Sequence, residues 1–174
     1  MIKKIAVIGT GVIGTGWIIR FLAHNKKVIA YDNNLKLKKK IIKEIKNSQS
    51  HIKKLFNKKN INLNNFEYVD SIKDAVKSAD FIQENVAENY KIKTQLMKEI
   101  GKYAKPNAII SSSSSGLLPT KIYSKCKFPN RTMIGHPFNP VYLCPGVEVV
   151  PGKKSQKKFL NKANKFYKSI SMNP

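Results

Sequence analysis

Two groups of residues in this sequence have the types and spacing to do chemistry. The first is Gly9-Thr10-Gly11-Val12-Ile13-Gly14, a G-x-G-x-x-G turn. It follows the apolar run Ile5-Ala6-Val7-Ile8, and a second run, Val28-Ile29-Ala30-Tyr31, leads into Asp32, eighteen residues past Gly14. Glycine at 9 permits a tight turn, glycine at 11 leaves the backbone open to a pyrophosphate, and glycine at 14 lets the following helix pack closely. The N–H groups and the dipole of a helix start favour phosphate. Asp32 is spaced to accept hydrogen bonds from both hydroxyls of an adenine ribose, where a 2′-phosphate would be repelled. The pattern points to NAD rather than NADP, a preference that Lys36 and Lys38 weaken somewhat. The competing reading is a glycine turn in a fold that binds nothing.

The second group is His136, in Gly135-His136-Pro137-Phe138-Asn139-Pro140, and Glu148, in Val147-Glu148-Val149-Val150. The prolines and the asparagine between them suggest a rigid bend that returns the second strand beside the first. A buried carboxylate next to an imidazole would fix its tautomer and make it more basic. Such a histidine can take an alcohol proton while hydride leaves the same carbon. From the pattern alone a structural histidine in a proline-rich turn is the more common case, so both readings stand. His24 and His51 lie on or near helices without a partner pattern and read as structural.

The elements that must position these groups alternate. Strands are expected over 5–8, 28–31, 66–69, 81–83, 108–110, 132–136 and 147–150. Helices are expected over 12–23, over a long lysine-rich stretch after a cap at Asn34, over 72–76 after a cap at Ser71, and over 90–103. A polar loop covers 57–65. Gly116-Leu117-Leu118-Pro119 starts another helix, and Ser155 caps a last one to about residue 168. This alternation gives an α/β fold, a mainly parallel sheet with helices on both faces. Ser111 to Ser115 follow a buried strand directly. They therefore sit at the strand-end edge where such sheets bind ligands, which is the wrong place for a flexible linker.

Composition narrows the class. The 174 residues make one domain by size, and 41% apolar content is too high for a disordered chain. No apolar run approaches the ~20 residues of a membrane span, and the start lacks the features of a signal peptide. Cys126 and Cys144 are far apart without companion ligands, which argues against a disulfide framework and a zinc site. The expectation is a soluble, cytoplasmic protein. Thirty-three basic against ten acidic residues give a net charge of +23. That excess suits either a polyanionic partner, such as nucleic acid or coenzyme A, or a solvated lysine surface. With Arg20 and Arg131 as the only arginines, nucleic-acid reading is disfavoured.

Several stretches together resemble the NAD-binding domain of the L-3-hydroxyacyl-CoA dehydrogenase superfamily, and within it the branch acting on carnitine. They are Gly11 to Trp17, Leu22-Ala23-His24, Asp80 to Glu84, Ser112 to Pro119 and Gly135 to Leu143. The resemblance runs from residue 2 to 174 and implies a Rossmann-type, doubly wound domain. It also implies NAD-dependent oxidation of a 3-hydroxy group to a ketone on a small-molecule substrate, carnitine or a 3-hydroxyacyl-CoA. His136 falls on the family's catalytic histidine, Glu148 on its paired glutamate, and Ser115 on the serine that bonds the substrate oxygen and contacts the cofactor. Glu88 and Lys93 fall on residues near the cofactor. No metal is implied. Ser113 stands where acyl-CoA enzymes carry asparagine, which points toward the carnitine branch. Pro145-Gly146 replaces a usual Pro-Leu pair. That change is expected to loosen the backbone before Glu148 and remove a core side chain worth about 1.5–3 kcal/mol. The family adds an all-helical domain that makes the dimer and closes the cleft, and none of it lies in these residues. The expectation is half a cleft, bare apolar surface near Phe166, Tyr167, Ile170 and Met172, and a helical partner or homodimer. A rival is a non-catalytic NAD-binding module from a split or truncated gene.

Overall fold

The computed structural model describes residues 2–57 and 61–174. In chain order the strands are β1 (Lys4–Ile8), β2 (Lys27–Tyr31), β3 (Phe66–Tyr68), β4 (Phe81–Glu84), β5 (Ile109–Ser112), β6 (Thr132–Pro137) and β7 (Val147–Pro151). The helices are α1 (Val12–Ala23), α2 (Leu37–Phe56), α3 (Ile72–Val76), α4 (Tyr90–Tyr103), α5 (Pro119–Ile122) and α6 (Lys157–Lys168). The sheet order is β3-β2-β1-β4-β5-β6-β7, parallel throughout except that β7 runs antiparallel to β6. The order reverses at β1, where the chain crosses from β3 to β4. That switch point opens a crevice beyond the strand ends.

Alternation along β1 divides the core. Ile5 and Val7 join Trp17, Phe21, Ile41, Ile45 and Tyr167 on the face covered by α1, α2 and α6. Ala6 and Ile8 join Val76, Met97, Ile100 and Tyr123 on the face covered by α3, α4 and α5. Successive strand side chains point to opposite faces, so a sheet buried on both sides reads as a continuous apolar run. The lysine-rich α2 buries a stripe of Ile41, Ile45, Ser48 and Ile52, one turn apart, and turns its lysines outward.

Caps account for the helix starts, with two corrections. The Ser71 side chain accepts from Asp74 N at α3, and Asn89 accepts from Ile92 N at α4. Asn34 does not cap α2. Its side chain accepts from Lys36 N and its carbonyl from Leu37 N, a turn that delays the helix to Leu37. Ser155 does not cap α6 either. Its hydroxyl donates to Thr132 O at 2.5 Å and accepts from Gly152 N at 2.9 Å, tying the exit of β7 to β6. The loop expected over 57–65 closes on a 3-10 turn at Leu63–Asn65, and residues 58–60 lie outside the described residues.

The end of the chain also differs from expectation. Phe166, Tyr167, Ile170 and Met172 are all buried in the core. Asn173 N donates to Pro145 O and Val147 N to Asn173 O, so the last residues pack beside the start of β7. Among the described residues the large apolar side chains left exposed are instead Val12, Leu35, Leu55, Ile92, Leu118, Phe138 and Val150, none of them on α6. Among the described residues no helix is long and apolar enough to cross a membrane.

Candidate active site

The turn after β1 is built from its glycines. Gly9 adopts φ +84°, and a Cβ there would lie 2.8 Å from the Asn85 carbonyl carbon. Only glycine holds this conformation without strain. A Cβ on Gly14 would overlap the Gly9 carbonyl oxygen, so helix and turn touch directly. Gly11 faces open space. The first helical bond is Thr15 N–H to Gly11 O, at 2.9 Å. The amides of Val12, Ile13 and Gly14 therefore have no acceptor within the helix. An open cradle of amides at a helix start fits the pyrophosphate of a dinucleotide.

Asp32 stands at the end of β2 beside this turn. Its Oδ2 accepts from Thr10 N at 2.6 Å and from Thr10 Oγ1 at 3.1 Å, and its Oδ1 from Asn34 N at 3.0 Å. Thr10 thus spends its amide on Asp32 rather than on a phosphate, and its expected cofactor contact narrows to shaping the turn. Asp32 lines a cleft of about 600 Å³ with Gly9, Gly11, Tyr31, Ile72 and Leu96. Its largely apolar walls, with the Asp32 carboxylate beside the glycine turn and Glu99 also in the lining, suit an adenine and its ribose.

The bend expected between His136 and Glu148 is present. The two residues are cross-strand partners in the β6–β7 ladder, and His136 Nδ1 lies 2.9 Å from Glu148 Oε2. A carboxylate only accepts, so Nδ1 carries the proton and Nε2 is left as the base. The expected burial of the carboxylate is corrected: the Glu148 side chain is 60% exposed, because β7 is the edge strand. The loosened backbone at Gly146 is corrected as well. Phe138 N donates to Gly146 O, and a Cβ on Gly146 would lie 2.7 Å from the Phe138 ring. The ring occupies the space that a side chain at 146 would need.

His136 shares a cleft of about 300 Å³ with Ile13, Glu88, Lys93, Ser113 and Ser115. Ser115 is exposed, and its amide donates to Glu88 Oε1 at 3.0 Å. Glu88 also accepts from Gly116 N at 3.1 Å and from the Ser114 hydroxyl. Burial raises the Glu88 pKa, but these donors and Lys93 outweigh it and hold the group below its ordinary value. Lys93 is 1% exposed, donates to Glu84 Oε1 at 2.7 Å and Val86 O at 3.0 Å, and lies 3.5 Å from Glu88. Both residues reach the cleft, yet they spend their polar atoms on the protein. Their geometry fits shaping the serine loop better than touching a cofactor.

Glu84 and Ser113, marked in the sequence only through the family resemblance, turn out to hold this site together. Glu84, fully buried at the end of β4, anchors Lys93 and accepts from Ser112 Oγ at 2.5 Å. The residue-level signal that could have found it is an acid closing an apolar strand. Ser113 is a hub: it accepts from Trp17 Nε1 at 3.0 Å and Gln83 Nε2 at 2.9 Å, and donates to Asn85 Oδ1 at 2.7 Å. Its partners lie far away in sequence, and no local pattern marks them.

The family model for the 3-hydroxyacyl-CoA dehydrogenase NAD binding domain matches residues 4–174. L-carnitine dehydrogenase of Oceanobacillus iheyensis is 45% identical over 172 residues, which are 99% of this chain and 56% of that protein. The Staphylococcus epidermidis L-carnitine dehydrogenase is 42% identical, over 97% of this chain and 53% of its own. The chain spans about half the length of the curated relatives it matches. Among solved structures, an NAD+-dependent dismutase, 5-formyl-3-hydroxy-2-methylpyridine 4-carboxylic acid 5-dehydrogenase, superposes with a TM-score of 0.91 at 28% identity, over 100% of this chain and 57% of that one. The 3-hydroxybutyryl-CoA dehydrogenase of Escherichia coli K12 shares the fold, with a TM-score of 0.93 at 23% identity over 100% of this chain and 38% of its own. With its glycine cradle, its strand order and a family match over nearly its whole length, this chain belongs to the NAD-binding domain family of the 3-hydroxyacyl-CoA dehydrogenases.

Proposed function

We propose that this domain serves the NAD-dependent oxidation of a secondary alcohol at carbon 3 to a ketone, with carnitine as the substrate. The observation that carries the reading is the His136–Glu148 pair, 2.9 Å apart, with His136 lining a cleft that also holds Ile13 of the glycine turn. NAD, when bound, supplies the nicotinamide carbon that accepts the hydride. The amides of 12–14 hold the pyrophosphate, and Asp32 accepts from the ribose. Nε2 of His136 takes the proton of the substrate hydroxyl. Glu148 keeps the imidazole in the tautomer that can do so and offsets the positive charge that then forms. Ser115, exposed at the mouth of the same cleft, donates to the substrate oxygen. The exposed Glu148 side chain fits a site that a helical partner domain or a second copy completes.

The carnitine branch is favoured over a 3-hydroxyacyl-CoA substrate by the similarity to L-carnitine dehydrogenases and by serine at 113. The test has two arms. Calorimetry on this chain is expected to show NAD binding that survives His136→Ala. NADH absorbance is then followed with L-carnitine and with 3-hydroxybutyryl-CoA, with and without an added helical domain from a carnitine relative. Turnover is expected on carnitine with the added domain, falling roughly 10²–10⁴-fold in His136→Ala. Full turnover without His136 would overturn the assignment of the base, and turnover on the CoA ester alone would overturn the substrate.

A further inference from the structure

Arg20 is an unusual side chain for the middle of a dinucleotide-binding helix. It is 1% exposed, and among the described residues its guanidinium donates to backbone carbonyls alone. Nε and Nη2 donate to Val141 O at 3.1 and 3.0 Å, and Nη2 also donates to Cys144 O at 2.9 Å. Nη1 donates to Ser171 O at 3.1 Å and Ile170 O at 3.4 Å. The Phe56 ring covers the group at 5.2 Å. Burial lowers its pKa to about 10, which still leaves it a cation near neutral pH. Burying a charge without a counter-charge costs stability, so the group is worth asking about.

Its four acceptors lie on two segments that meet at one place. Val141 and Cys144 belong to the bend between His136 on β6 and Glu148 on β7. Ile170 and Ser171 belong to the turn that leads from α6 to Asn173. Those segments then join each other: Asn173 N donates to Pro145 O at 2.7 Å and Val147 N to Asn173 O at 3.1 Å. Val147 opens β7, and Glu148 is the next residue. Helix α1 touches the same bend at Gly16, where a Cβ would lie 2.9 Å from Val141 Cβ. A planar fork with donors pointing two ways can hold both segments at once, which the single ammonium of lysine cannot.

We infer that Arg20 is a positioning residue that sets the register of β7 and so holds Glu148 on His136, linking the dinucleotide helix to the proton-transfer pair. What the pair does rests on the proposed function; that Arg20 holds it does not. Arg131 supplies a matched control. It is also 1% exposed, has a pKa lowered by burial to about 10, and donates to the carbonyls of Lys105 and Ala108. None of its bonds reaches the bend.

The experiment reads the imidazole of His136 by nitrogen-15 NMR in the chain without substrate, with signals assigned by His136→Ala. The wild type is expected to show the Nδ1–H tautomer with a proton protected from exchange. Glu148→Ala is expected to lose that signature. Arg20→Met is expected to lose it too, although residues 136 and 148 are intact, while NAD affinity by calorimetry is unchanged. Arg131→Met, compared at matched loss of stability, is expected to keep it. Arg20→Lys retains the charge for the case that Arg20→Met does not fold, and is expected to lose the protection as well. A wild-type His136 signature in the folded Arg20 variants, or an equal loss in Arg131→Met, would overturn the inference. A chain that keeps this NMR pattern but oxidises no alcohol even with the added helical domain would overturn the proposed function and leave the role of Arg20 standing.

Discussion

Gly135→Ala, a change of one methyl group next to His136, should remove a large share of the domain's stability. Gly135 lies in β6 opposite Val149, with its neighbouring face covered by α6. A Cβ there would overlap both the Tyr167 hydroxyl oxygen and the Ser111 Oγ, and would lie 3.0 Å from Tyr167 Cζ. These hydroxyls are not free to swing away. Tyr167 is fully buried, accepts from or donates to Ser111 Oγ at 2.9 Å, and donates to Gln83 Oε1 at 2.9 Å. Because its own proton goes to Gln83, the Ser111 hydroxyl is the donor in their shared bond. Burial pushes the Tyr167 phenol far up, so it stays a protonated donor at any working pH. Gln83 in turn donates to Ser113 Oγ and to Gly135 O, at 2.9 and 3.2 Å.

Overpacking such a site costs about 1–3 kcal/mol. A buried polar group that loses its partner costs about 1–3 kcal/mol more. The expected loss is about 2–6 kcal/mol, against the roughly 5–15 kcal/mol that a domain possesses. Tyr167→Phe removes the obstructing oxygen but strands Gln83 Oε1, and alone should cost about 1–3 kcal/mol. In the double variant the new methyl enters space the hydroxyl has left. The two changes should therefore cost less together than their sum, by at least about 1 kcal/mol. Urea unfolding followed by fluorescence of the single tryptophan, Trp17, reads this directly, since its ring lies 5.7 Å from that of Tyr167. A Gly135→Ala chain as stable as the wild type, or strict additivity in the double variant, would refute the packing argument.

Asp32→Ala should weaken NAD and narrow its advantage over NADP, since the carboxylate that receives the ribose is also the one that repels a 2′-phosphate; wild-type calorimetry with equal affinities would contradict this. Lys93→Met leaves the Glu84 carboxylate buried without its cation and should cost about 3 kcal/mol in urea unfolding, where a surface lysine such as Lys77 costs well under 1 kcal/mol. For Asp80 burial raises the pKa, but the Lys105 ammonium and the amides of Lys4 and Lys3 outweigh it and hold the group at about 2. Its contribution is therefore complete above the unfolded value near 4 and is lost as pH falls toward 2, by about 1 kcal/mol for a partly exposed group. Asp80→Asn should flatten that part of the acid unfolding profile, and an unchanged profile would count against the assignment.

The parts of the site that were legible before the fold was known share one property: their geometry is local. Gly9, Gly11, Gly14 and Asp32 are set by one strand-turn-helix-strand unit, whose spacing dictates where the turn and the acid fall. His136 and Glu148 became legible because the prolines between them predict a bend, and antiparallel pairing then makes them cross-strand partners. Their exposure was not legible, since no residue in 147–150 says that β7 is the sheet's edge. Gln83, Ser113, Trp17 and Tyr167 sit on four different elements and meet only after the sheet has formed; Trp17 and Ser113 are 96 positions apart.

The same limit explains the misjudged glycine at 146 and the buried C-terminal aromatics. A missing side chain reads as lost packing when only neighbours in sequence are considered. In the fold the vacancy is filled by Phe138, eight residues upstream across the bend, so the glycine is what permits the ring to lie there. The apolar residues of α6 read as an interface if the chain is imagined to continue outward. The sheet instead needs a third helix on the α1 face, and Phe166 and Tyr167 supply it by packing on Phe81 and Trp17. The exposed large apolar side chains, Val12, Leu35, Leu55, Ile92, Leu118, Phe138 and Val150, therefore all lie off α6. A partner domain would have to find its apolar contacts elsewhere than at the end of α6, whose aromatic residues the sheet has already used.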